Sequence, residues 1–117
     1  MKTFKNIAAQ GDIMIIRIAT LPPGLERVSS ENGNLIITHS ETGHHHVVKN
    51  RPNVVFYTGN DPMVSYLEVL EATDATETLL EHLRSFDTHA PLKFDSGVYE
   101  IRRQREYTPE GWRRVED

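Results

Sequence analysis

Four histidines fall within one eight-residue stretch, His39-Ser40-Glu41-Thr42-Gly43-His44-His45-His46, and two more, His82 and His89, stand far downstream. Side chains alternate along a strand, so an extended His44–His46 segment projects His44 and His46 to one face and His45 to the other. Two imidazoles on one face lie within reach of one ion, and imidazole suits zinc, copper, iron and nickel. Glu41 stands just before them, across Thr42-Gly43, and adds a carboxylate. A distant imidazole then completes a three- or four-ligand site with open positions. The candidate metal ligands are His44, His46, His89 and Glu41, with His39, His82, Gln104 and Glu106 as additional candidates. The cofactor they imply is a divalent metal ion whose identity the pattern does not choose. Two plainer accounts stand beside it: a polar, solvated turn, or a neutral structural network in which His39 and Glu41 bond the backbone around Gly43. Ser40 beside His39 makes no nucleophilic dyad, because strand neighbours point to opposite faces. No phosphate-binding loop or dinucleotide glycine fingerprint occurs.

The elements that must position these residues read mainly as strands. Ile13 to Thr20 is a β-branched, apolar run, ended by Leu21-Pro22-Pro23-Gly24. Glu26 to Ser30 forms a short strand. Asn32-Gly33 favours a tight hairpin turn into Leu35 to His39. An extended run from His44 to Val48 follows, then Val54 to Tyr57 and the alternating Met63 to Glu71. Turn residues separate these runs every 8 to 15 positions, the pattern of an all-β sandwich or barrel. Asp74 as N-cap with Glu77 three residues on, and Leu79, Leu80 and Leu83 on one face, predict a short helix near 75–85. Gly97 to Tyr107 reads as a last long strand, and Thr108-Pro109 opens one helical turn. Gln104 and Glu106 share a face of that strand. Trp112, beside Arg113 and Arg114, covers the end of a barrel or anchors a contact.

The chain has 117 residues, the size of one domain spanning 1–117, with 38% apolar and 26% charged residues, as in a folded protein rather than a disordered one. It has no cysteine, which removes disulfides and thiolate chemistry and fits a reducing, cytoplasmic setting. No apolar run approaches the roughly 20 residues of a membrane span, and Met1 to Gln10 lacks the apolar core of a signal peptide. A net charge of −4 argues against general nucleic-acid binding. Residues 61–100 hold nine acids against Arg84 and Lys93, and the segment from Ile101 is arginine-dense. Such runs are solvated faces or surfaces for a protein partner.

Two resemblances follow from these motifs. Gly33, five residues, then His39-Ser40-Glu41, with His44-x-His46 and the later His89-Ala90-Pro91 and Gly97, partly resembles the two motifs of the cupin superfamily. That likeness implies a small β-barrel with a mononuclear metal site. The order Gln10-Gly11-Asp12, His39-Ser40-Glu41-Thr42-Gly43-His44-His45-His46, Glu81-His82, Gly97-Val98-Tyr99 and Arg103-Gln104-Arg105-Glu106-Tyr107 is similar to a family of small uncharacterised bacterial and phage proteins. It implies that these residues together, rather than any single histidine, form the site. The expected function is therefore a small, cupin-like antiparallel β-sandwich or barrel that holds a metal ion or small polar ligand at a histidine cluster. The alternative is a non-enzymatic, phage-type accessory or interaction module with structural histidines, self-associating or bound to a protein partner.

Overall fold

Alternation of β-branched and aromatic residues with polar ones commits most of the chain to strands, each burying one face. A computed structural model describes residues 2–3, 5–10, 12–38, 45–72, 77–82, 91–103, 105–108 and 111–114. In chain order the strands are β1 (Lys2–Thr3), β2 (Ile7–Gln10), β3 (Ile13–Ile18), β4 (Glu26–Arg27), β5 (Asn34–Thr38) and β6 (His46–Lys49). They continue as β7 (Val54–Thr58), β8 (Val64–Val69), β9 (Thr78–His82), β10 (Leu92–Phe94), β11 (Gly97–Arg103), β12 (Arg105–Thr108) and β13 (Gly111–Arg114). One sheet has the order β1-β10-β9-β6-β5, the second β2-β3-β11-β8-β7-β4, and β12 and β13 pair as a hairpin of their own. All neighbours are antiparallel except β1 and β10.

The two large sheets share a single buried cluster. Ile13, Ile15, Val54, Phe56, Leu67, Val69, Tyr99 and Ile101 enter it from the six-stranded sheet, and Leu35, Ile37, Val48, Leu80, Leu92 and Phe94 from the five-stranded one. Among the described residues neither sheet closes on itself. The Asn32-Gly33 turn is built as the sequence implies. Both residues have positive φ (52° and 79°), and Glu31 and Asn34 exchange two backbone hydrogen bonds across it.

Several expectations are corrected. The helix expected near 75–85 is absent where the chain is described: Thr78–His82 is β9, paired with β10 on one side and β6 on the other. Local capping and leucine spacing lose to a ladder that buries Leu80 completely. Residues 73–76 and 83–90 lie outside the described set. The long strand Gly97–Tyr107 is two strands, β11 and β12, in different sheets. The helical turn expected at Thr108 is not the element found there: Thr108 ends β12 and pairs with Gly111. Strands β2 and β10 join the sheets without having been expected. Among the described residues no helix is long and apolar enough to cross a membrane.

Candidate functional site

Strands β2 and β3 pair antiparallel, the last pair being Gln10 and Ile13, with Asp12 just before β3. Gln10 alternates onto the buried face of an edge strand. Its amide nitrogen donates to the Leu80 carbonyl on β9, 3.1 Å away, tying the two sheets together. Its Oε1 lies 2.8 Å from Nδ1 of His46. A carbonyl only accepts, so the Leu80 bond turns the Gln10 nitrogen toward β9 and the oxygen toward the imidazole. His46 must then carry a proton on Nδ1 and donate to Gln10.

Its other nitrogen, Nε2, faces Oδ1 of Asp12 at 3.4 Å. The imidazole is 1% exposed and the Asp12 side chain 11%. In a neutral ring with Nδ1 protonated, Nε2 presents a lone pair to the carboxylate. Two facing lone pairs repel, and a cation between them relieves this: a second proton on the ring, or a metal ion. A charge-assisted N–H···O bond closes to about 2.7–2.9 Å. Two ligands on a tetrahedral ion, each at about 2.0–2.1 Å, stand about 3.4 Å apart. At 3.4 Å the two atoms stand at ion-pair distance, which either cation fits.

Strand β6 is the middle of this site. On one side Thr38 of β5 pairs with His46, and a register shift between Ile36 and Thr38 sets two residues of β5 opposite one of β6. This bulge turns the consecutive Ile37 and Thr38 both to buried positions. On the other side His82 of β9 is the register partner of His46.

Of the histidine-cluster candidates, the ladder thus brings together His46 and His82. Glu106 pairs in register with Arg113 in the β12–β13 hairpin. His39, Glu41, His44, His89 and Gln104 lie outside the described residues. Among the described residues no group of three or more His, Cys, Asp or Glu is assembled that could hold a metal. Spacing arguments around the H-x-H pair missed Gln10 and Asp12 as site residues. The available signal was the Gln10-Gly11-Asp12 motif, one of those that carry the resemblance to the uncharacterised family.

A small protein of two antiparallel β-sheets, with a buried glutamine–histidine–aspartate cluster between them, is the class these features define. The chain belongs to the family described as Domain of unknown function (DUF8820), whose profile matches residues 9–104. No curated protein and no solved structure matches it. The matched segment runs from Ala9, so it includes Gln10, Asp12, His46 and His82.

Proposed function

We propose that the chain is a β-sandwich that holds a divalent metal ion or small polar ligand at His46, in a reducing, cytoplasmic compartment. The carrying observation is the orientation of His46: Nδ1 donates to Gln10, and Nε2 is aimed at Asp12 at the separation of two ligands on one ion. Metal-bound histidines characteristically donate their other ring N–H to an oxygen, which sets tautomer and ring angle. Gln10 supplies that oxygen. Asp12 joins His46 as a ligand, and His82, the register partner of His46, is an additional candidate. His44, His89 and Glu41 are the further candidates, with His39 and Gln104 beside them, as in the cupin likeness. An ion with an open position would polarise a carbonyl or activate water.

Metal content of untagged protein, purified without a metal column, tests this. About one equivalent of zinc or cobalt should bind, and His46→Gln and Asp12→Asn should each abolish it. Gln10→Leu should weaken it about 10–100-fold while leaving both ligands in place. Metal that is substoichiometric and unchanged in His46→Gln rejects the site.

A second reading has its own observation. The arginine-rich β12–β13 hairpin, Arg105, Arg113 and Arg114 with Trp112, forms a two-stranded sheet separate from both large sheets. This favours a non-enzymatic accessory module, of the phage type the motifs resemble, that docks an acidic protein partner through the hairpin. Here His46 is structural, held between Gln10 and Asp12. Retention of a defined host protein by the intact chain, lost in an Arg113→Ala, Arg114→Ala variant and unaffected by chelator, supports it. Equal retention by both chains opposes it.

A further inference from the structure

A cleft of about 570 Å³ opens between the two sheets at the end where β5, β8 and β11 meet. Its volume lies within the usual range for small-molecule sites, about 300–1,000 Å³. Ile37, Phe56 and Ile101 give it an apolar floor. Two hydroxyl residues interrupt that floor, Thr38 from one sheet and Ser65 from the other, 6% and 9% exposed. Neither hydroxyl has a hydrogen-bond partner among the described residues. A buried hydroxyl without a partner costs about 1–3 kcal/mol. The two hydroxyls stand on opposite sides of one cleft, and on the β5 side the bulge turns Thr38 inward.

Arg103, the last residue of β11, lines the same cleft and is half-buried. A guanidinium has five N–H donors, more than one partner need occupy. Asp61 also lines the cleft, and its Oδ1 accepts a hydrogen bond from the Met63 backbone at 2.9 Å. A guanidinium fork matches a planar carboxylate. A neighbouring aspartate makes a second negative charge on the ligand unfavourable.

We infer that this cleft binds a small apolar monocarboxylate, its hydrocarbon body on Ile37, Phe56 and Ile101 and its carboxylate held by Arg103 with Thr38 and Ser65 donating. The site is distinct from His46 and does not require a metal. Thr38, the register partner of His46, is where the two adjoin.

The test is a titration of the full chain, with chelator present, by sodium octanoate, 1-octanol and octyl phosphate, followed by amide chemical shifts and calorimetry. Octanoate should bind, with shifts concentrated at Thr38, Ser65, Ile101 and Arg103. It should bind more tightly than either other probe. Arg103→Gln should weaken octanoate about tenfold or more and leave octanol unchanged, the effect of losing a charge-assisted bond. Ser65→Ala and Thr38→Val remove the hydroxyls with little risk to folding, and each should weaken octanoate severalfold. Absence of shifts at millimolar octanoate overturns the inference, as does wild-type binding in Arg103→Gln. If Arg103→Gln does not fold, wild-type affinity in both hydroxyl variants overturns it equally. Because chelator is present throughout, loss of the metal reading leaves this result standing, and the reverse holds.

Discussion

At one end of the β3–β11 ladder Tyr99 pairs with Arg17; at the other Arg103 pairs with Ile13, beside Gln10 and Asp12. Both ends bury polar atoms between the sheets. Tyr99 is fully buried, and its hydroxyl donates to the Asp95 carbonyl at 2.7 Å. Its ring meets Phe94 edge-on with centroids 4.8 Å apart, and Arg17 lies over it at 5.7 Å. Arg17 in turn donates to the Ser96 carbonyl at 2.7 Å. The polar partners of the phenol and guanidinium here are backbone carbonyls, supplied by the β10–β11 turn. At the His46 end both ring nitrogens meet side chains of the β2–β3 hairpin, Gln10 and an aspartate at ion-pair distance, Gln10 also donates to the Leu80 carbonyl, and a cleft opens alongside. A Tyr end satisfied by backbone can be simplified with little loss. A side-chain network with a charged member cannot, because removing one partner strands the rest.

The largest expected effect is at the histidine end. His46→Ala leaves the Gln10 oxygen and the Asp12 carboxylate buried without their partner. Breaking a buried pair costs about 3–5 kcal/mol. Urea unfolding in chelator should show that loss, with His46→Gln intermediate because it keeps a polar group. If His46→Ala costs no more than Tyr99→Phe, the contrast between the two ends fails.

Next in size is Gly97, where the tyrosine end turns into β11. Its φ is +154°, and a Cβ added there would stand 2.8 Å from Nη2 of Arg17. Two causes are separable. The arginine tip can move, whereas the backbone angle disfavours any L residue, at about 1–3 kcal/mol. Gly97→Ala should destabilise by that order, and an Arg17→Ala background should recover only the smaller part. Full recovery in the double variant would make the contact, rather than the angle, the reason for glycine.

What was legible in the chain follows the same division. Ile13–Ile18, Asn34–Thr38, Val54–Thr58 and Val64–Val69 are readable because apolar alternation, β-branching and turn residues agree at each. Thr78–His82 was misread, because an N-cap spacing and three leucines suit a helix locally, while the ladders to β6 and β10 are non-local. The three-residue β10 and the four-residue β2 are too short to show a period. At the site, His46 was legible from its alternation and His82 only as a spare imidazole. Asp12 and Gln10 were indicated only by the family resemblance, because no spacing rule connects residues 10 and 12 to residue 46. Their meeting depends on which strands are neighbours.

The smallest expected effect is at Tyr99, and it has a pH signature. Burial is the first cause raising its pKa above the ordinary 10.0, since the phenolate loses its hydration between the sheets. Tyr99→Phe forfeits the bond to Asp95 and should cost about 0.5–1.5 kcal/mol at neutral pH. In the unfolded chain Tyr99 loses its proton near pH 10; in the folded chain it holds it to higher pH. Above that point the unfolded state binds fewer protons than the native one, so stability falls as pH rises from about 10 toward the folded value. Phenylalanine has no proton to lose. Tyr57 and Tyr66 are also shifted upward, burial again first, but they titrate equally in both proteins. Urea melts at pH 8, 9.5 and 10.5 should therefore show wild type ahead by a constant margin up to about pH 9.5, then losing that margin. A gap that stays constant to pH 10.5 would mean that the Tyr99 phenolate is tolerated in the folded state, and that burial does not set the proton affinity at this end.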